Sequence, residues 1–132
     1  MNIPPGFAQV VPYIFAENSD ELIMFLVQGL GGQEIGRTVS PDGSITNSQV
    51  QFGSAAIMVS EASADYPPSR AAIYLYVEDA DATMAQAIEN GAKLQMEVAD
   101  MPYDDRQGGV VDPAGNIWWI SQRLKPEPYF PT

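Results

Sequence analysis

The chain has 132 residues, a single-domain length, and its 45% apolar content is enough to build a core. Six basic against seventeen acidic side chains give a net charge of −11, a field that repels nucleic acids and anionic membranes and draws in cations. Histidine and cysteine are both absent, which excludes disulfides, thiol nucleophiles, imidazole bases and the commonest transition-metal ligands.

Met1 to Gly6 is a Pro/Gly-containing arm without the basic start and apolar run of a leader. The longest apolar run, Leu22 to Val27, is too short to span a bilayer, so the expected setting is cytoplasmic. Gln9 to Ala16 reads as a strand. Asn18 with Glu21 three residues on reads as an N-cap and capping box for a helix that runs to about Leu30 and stops at Gly31-Gly32. Gln33 to Val39 predicts a strand, Pro41-Asp42-Gly43 a turn, and Ser44 to Phe52 and Ala55 to Glu61 two further strands. The linker 62–70 contains Pro67-Pro68. Then the order repeats: strand Ala71 to Val77, helix Asp79 to Asn90, a strand from Lys93 to Val98, one before Asp112, and one from Asn116 to Gln122. Gly108-Gly109 and Asp112-Pro113-Ala114-Gly115 read as breakers on either side of Val110-Val111. Residues 124–132 read as an extended, proline-rich tail.

The repetition is literal. An ungapped shift of 61 lays Tyr13 on Tyr74, Glu17 on Glu78, Asp20 on Asp81, Val50 on Val111 and Ser60 on Ser121. One offset serving both ends of the unit indicates an internal duplication. The expected fold is α+β, a single domain over 1–132 built from two tandem βαβββ modules (9–61 and 71–123) that form a curved mixed sheet around a cleft.

Strand alternation sorts the side chains of the four clearest strands into two faces. One face collects Ile14, Ala16, Ile57, Val59, Ile73, Leu75, Val77, Trp118 and Ile120, suited to packing under the helices through Ile23, Leu26, Val27, Met84, Ala87 and Ile88. The other collects Val11, Tyr13, Phe15, Met58, Ser60, Ala72, Tyr74, Tyr76, Trp119 and Ser121. Aromatic rings mixed with hydroxyls suit a ligand cleft better than a helix-covered core, where each buried phenol needs a partner. The other reading has a loop or partner subunit covering this face, with the hydroxyls reaching water.

Paired βαβββ modules with Asp112-Pro113-Ala114-Gly115-Asn116-Ile117-Trp118 near the end resemble the vicinal oxygen chelate superfamily of glyoxalases, bleomycin-resistance proteins and extradiol dioxygenases. The string Tyr103-Asp104-Asp105-Arg106-Gln107-Gly108-Gly109-Val110-Val111-Asp112-Pro113 is similar to its PhnB-like, glyoxalase-like branch, with Asp104 where that branch has a glycine. The resemblance implies metal-ligand positions at about Val11, Met58, Ala72 and Trp119, none of which is a ligand. A metal-free member with no cofactor is therefore expected.

The leading expectation is a protein that binds a small planar or cationic molecule, as bleomycin-resistance proteins sequester a drug. Its ligand-binding residues are Tyr13, Phe15, Met58, Ser60, Tyr74, Tyr76, Arg106, Trp119 and Ser121, and its catalytic residues are unknown. Arg106 has a competing structural role beside Asp112 or Asp105, and Gln49 and Gln51 reach the cleft in one strand register. The alternative is an enzyme, a lyase or dioxygenase type using carboxylates or a divalent metal held by residues such as Glu61, Asp104 and Asp105. The apolar girth of Leu22 to Val27 and the resemblance both predict a homodimer, with helix one or the tail (Tyr129, Phe130) near the interface, unless the chain's own tail or a loop covers that helix. Nucleic acid and membrane partners are not expected.

Overall fold

Two four-stranded mixed sheets, each crossed by one helix, share one apolar core in the computed structural model, which describes residues 1–131. The first module orders its strands β1-β4-β3-β2, from β1 (Tyr13–Ala16), β2 (Gln33–Val39), β3 (Ile45–Phe52) and β4 (Ala55–Glu61), with helix α1 (Ser19–Gln28). The second repeats the order as β5-β8-β7-β6, from β5 (Ala72–Tyr76), β6 (Lys93–Asp100), β7 (Asp105–Val111) and β8 (Ile117–Arg123), with helix α2 (Ala80–Glu89). In each module the first and last strands are parallel, and the strands between are antiparallel.

The duplication is visible in register. Tyr13 pairs with Met58 and Tyr74 with Trp119, two pairs related by the same shift of 61. Between these ends the ungapped shift slips. Val50 pairs with Ile57 and Val110 with Trp118, so Val50 corresponds to Val110 and not to Val111. The extra residue sits in the hairpin: Gly53-Ser54 lies between the paired Phe52 and Ala55, whereas Pro113-Ala114-Gly115 lies between Asp112 and Asn116, whose backbones are bonded.

Alternation places the apolar face inward as expected. Ile14, Ala16, Ile57, Val59, Trp118 and Ile120 are buried, and Ile73, Leu75 and Val77 pack against the same cluster. Phe52 and Trp118 approach to 5.9 Å between ring centroids, and Gln86 Nε2 donates to the Gln28 carbonyl at 2.6 Å, so the modules meet through their helix-bearing sides. Ile88, expected beneath α2, is exposed. Leu22, Ile23, Phe25 and Leu26 are all buried within the chain, leaving Met24 as the open apolar residue of α1 at 55% exposure. The apolar girth of α1 thus serves its own fold.

Three local expectations change. β1 starts at Tyr13, since Pro12 lacks the amide a ladder needs. Gly108-Gly109 lies inside β7, paired with Ile120 and Trp119 of β8, rather than breaking the chain, and two side chains occupy the space its Cβ atoms would fill. A Cβ on Gly108 would sit 2.8 Å from Met84 Cε under α2, and one on Gly109 would sit 2.6 Å from Trp119 Cζ3 on the opposite face. Asn18 adopts φ 55° and makes no side-chain cap. The carboxylate of Glu61 at the end of β4 caps α1 instead, accepting from Ser19 N at 3.0 Å, Ser19 Oγ at 2.7 Å and Asn18 N at 3.1 Å.

Candidate functional site

The sheet face turned away from the core carries the rings that alternation assigned to it. On the first module Tyr13 and Phe15 lie 5.0 Å apart, with Met58 and Ser60 beside them on β4. Tyr66 from the linker stacks on Phe15 at 5.2 Å. The amino-terminal arm flanks this face, and together with Val11, Gln49 and Met58 it encloses a depression of about 420 Å³. Gln49 therefore borders the face, while Gln51 turns to Gly53 and donates to its carbonyl at 3.1 Å.

The second module presents Tyr74, Tyr76, Trp119 and Ser121 on its own sheet. Tyr74 and Tyr76 lie 5.2 Å apart, and Trp119 lies over Gly109. Among the described residues, no hydrogen bond or ring pair connects the two sets, so one chain offers two separate half-floors. Arg106 joins neither. It lies on the helix side of β7, with Nε and Nη2 on the Asp81 carboxylate at 2.7 and 3.0 Å and Nη1 on Asp100 at 3.0 Å. Its structural role is real, with different partners from the expected Asp112 or Asp105. The pairing raises the guanidinium pKa, first through the Asp81 hydrogen bonds and then through Asp100.

Asp105, expected only as an oxygen ligand or an Arg106 partner, is the centre of the second face. Its side chain is fully buried. Oδ2 accepts from Tyr74 OH at 2.5 Å and from Tyr129 OH at 2.6 Å, and Oδ1 accepts from Arg123 Nη1 at 3.0 Å. Burial works to raise the carboxyl pKa, but the hydrogen bonds of Tyr129, Tyr74 and Arg123 outweigh it and hold it below the usual range. Burial pushes the Tyr74 phenol up to about 12, and the neighbouring Asp105 adds to that, so Tyr74 stays a donor. Gln107 accepts from Tyr103 OH on the same face. Ser121 Oγ is buried there without a hydrogen-bond partner among the described residues. The signal in the sequence was alternation along β7, which sets Asp105, Gln107 and Gly109 on one face; two glycines hide that period.

Asp112 is buried and fixes its turn. It accepts from Ala114 N at 2.8 Å, Asn116 N at 3.0 Å, Asn116 Nδ2 at 2.9 Å and Trp118 Nε1 at 2.8 Å.

The metal-ligand positions that the resemblance implies fall at about Val11, Met58, Ala72 and Trp119. These offer one thioether and no oxygen or imidazole donor, so the donor set does not fit a divalent ion. Among the described residues, no three acidic side chains come close enough to share one.

Paired βαβββ modules with outward aromatic sheet faces define the structural class. The family model of the glyoxalase/bleomycin resistance protein/dioxygenase superfamily matches residues 6–120, and the chain belongs to that superfamily. It is 25% identical to an uncharacterized protein of Mycobacterium tuberculosis, over 95% of this chain and 78% of that one. The fold is similar to that of TioX from Micromonospora sp. ML1 (TM-score 0.73, 22% identity, 89% of this chain and 99% of that one). It is also similar to TnmS3, an antibiotic binding protein from Streptomyces sp. CB03234 (TM-score 0.70, 21% identity, 88% and 97%).

Proposed function

We propose that the chain is a metal-free binding protein for a small planar or cationic molecule, acting as a homodimer in the cytoplasm, with sequestration of a drug-like compound as its role. One observation carries this reading: both sheets turn aromatic rings away from the core and leave them open, with Tyr13 and Tyr74 each 41% and Tyr76 56% exposed. Rings placed this way offer flat stacking surfaces worth about 0.5–2 kcal/mol per contact to a planar or cationic partner. The net charge of −11 adds long-range attraction for cations. The description of TnmS3 as antibiotic-binding supports binding without chemistry, and the Tyr103–Pro113 string supports the PhnB-like branch.

The half-floors support the dimer. A second copy laid across the first would set the Tyr13 face of one against the Tyr74 face of the other and enclose a ligand between them. Ligand-binding roles then fall to Tyr13, Phe15, Met58, Ser60, Tyr74, Tyr76, Trp119 and Ser121, without Arg106. The test is a thermal-shift screen of planar cations and aromatic drugs, read beside tryptophan emission of Trp118→Phe and Trp119→Phe variants. A true ligand raises the melting temperature by mass action and perturbs emission only where Trp119 is retained. No shift with any compound, or a monomer in sedimentation at micromolar concentration, would overturn the binding or the dimer part respectively.

A further inference from the structure

The tail after β8 brings a side chain of the same chain onto the second aromatic face, and the way it is held describes a ligand. Tyr129 OH donates to Asp105 at 2.6 Å and lies 2.6 Å from Tyr76 OH. The Arg123 guanidinium sits over its ring, 4.2 Å from the centroid, and Tyr103 meets it edge-on at 6.4 Å. Around it the tail is thinly anchored: Arg123 Nη2 donates to the Glu127 carbonyl at 2.7 Å, while Tyr129 and Phe130 are 44% and 81% exposed. Two depressions flank the ring, of about 900 and 440 Å³, and Tyr76 and Tyr129 line both. Moving Tyr129 aside would join them.

We infer that this pocket is a binding site for a neutral hydroxyaryl compound, and that Tyr129 is its resident occupant, displaced when such a compound binds. This rests on the reading of the aromatic faces as ligand sites and narrows it for the second module. The chemistry selects the class from both sides. Asp105 keeps Tyr74 and Arg123 when Tyr129 leaves, and its freed acceptor position on Oδ2 calls for an O–H or N–H donor. An ionised carboxylate at that point repels an anionic ring substituent. The guanidinium over the ring attracts a neutral π-face and repels a cationic one. A phenol meets all three conditions, which is how a tyrosine side chain comes to fill the place. The occupant also lowers apparent affinity, because a ligand binds only the fraction of molecules in which the pocket is open.

The experiment titrates 4-methylphenol, 4-methylanisole and 1-methylquinolinium into the full chain and into its Tyr129→Ala and Tyr129→Phe variants by calorimetry. Tyr129 lies outside both sheets, so the variants keep the fold, and their circular dichroism checks it. Tyr129→Ala is expected to bind 4-methylphenol about tenfold or more tightly than the unsubstituted chain, with Tyr129→Phe between them. In Tyr129→Ala the phenol should exceed its methyl ether, which cannot donate, by about tenfold. Equal phenol affinity in the unsubstituted chain and Tyr129→Ala overturns the inference, as does equal affinity for phenol and ether. If either result comes with 1-methylquinolinium binding to the unsubstituted chain, the broader reading stands and this one falls. Absence of binding by all three compounds to every chain overturns this inference and counts against the broader one.

Discussion

Gln122 does for α2 what Glu61 does for α1. The two residues are related by the repeat, and the Gln122 side-chain oxygen accepts from Ala80 N at 3.0 Å, where the Glu61 carboxylate accepts from Ser19 N at 3.0 Å. Across the duplication the backbone plan persists while its chemistry is reassigned. In the first module a half-buried carboxylate, Glu61, sits at a helix terminus; in the second the helix is capped by a neutral amide and by Asp79, which accepts from Ala82 N at 3.0 Å, while the buried carboxylates are Asp105 at the aromatic face and Asp112 in the turn. Hairpins differ likewise: Gly53-Ser54 turns in two exposed residues, whereas the longer turn of the second module buries Asp112 beneath Trp118. A duplicated fold thus keeps its scaffold symmetrical and concentrates polar, ligand-capable groups in one copy.

The largest test of that asymmetry lies in the core. Trp118 occupies the place of Ile57 in the repeat and is fully enclosed. Trp118→Ala is expected to cost about 3–5 kcal/mol in urea unfolding, against about 1–2 kcal/mol for Trp119→Ala, whose ring is only half-buried. Equal costs would mean that the aromatic face is ordinary core. Next in size is Asp112→Ala, which strands the Trp118 indole N–H and the Asn116 amide in a buried site and should cost about 2–3 kcal/mol. Ser54→Ala, in the corresponding turn of the first module, should stay within about 0.5 kcal/mol.

The sequence discloses some strands and hides others. β1, β4, β5 and β8 carry side chains at every position, so their period of two is readable, and with it the faces of Tyr13, Tyr74, Trp118 and Trp119. The repeat was legible because tyrosine, glutamate and aspartate recur at one offset. β7 was not legible in this way. Glycines at 108 and 109 erase the alternation that would have put Asp105 on the aromatic face and Arg106 on the helix side. The Glu61 cap was hidden for another reason: it reaches Asn18 and Ser19 from 43 and 42 residues away, and no local pattern such as a capping box reports that. The return of Tyr129 onto Asp105 is equally non-local.

A smaller effect separates the helix caps by pH. Burial works to raise the Glu61 pKa, but hydrogen bonds from Ser19 and Asn18 outweigh it and lower the value in the folded state. A carboxyl depressed on folding contributes stability that is complete above its unfolded pKa, roughly 4–4.5, and is lost as pH falls through the folded value. Asp105 acts with the same sign in the second module. Glu61→Ala should cost about 1–2 kcal/mol at neutral pH by removing the cap. Glu61→Gln should copy Gln122, costing less and flattening the acid limb of the stability curve, which denaturation from pH 7 down to pH 3 would resolve. An unchanged acid limb would show that Glu61 does not titrate on folding.

A further small effect concerns one backbone angle. Gly43 and Asp104 hold the same place in the β2–β3 and β6–β7 turns: Gly43 N donates to the Ser40 carbonyl at 2.9 Å, and Asp104 N to the Met101 carbonyl at 3.0 Å. Their φ values are +90° and +66°, in the left-handed region where a side chain crowds the backbone. Asp104 is the residue at which this sequence departs from the glycine of the branch it resembles, and aspartate tolerates the region better than most residues. Asp104→Gly removes the crowding, but glycine also gains freedom in the unfolded chain, which cancels part of the benefit. The weak, exposed contact of Lys125 with Asp104 at 3.8 Å contributes little either way. The net expectation is a gain of about 0.5 kcal/mol. At Gly43 a Cβ would meet nothing within 4 Å, so Gly43→Ala isolates the backbone cost and should lose about 1 kcal/mol. Denaturation midpoints at unchanged slope measure both. Opposite signs are the expected result. A loss in Asp104→Gly as well would mean that the aspartate side chain, rather than the turn geometry, stabilises the approach to Asp105.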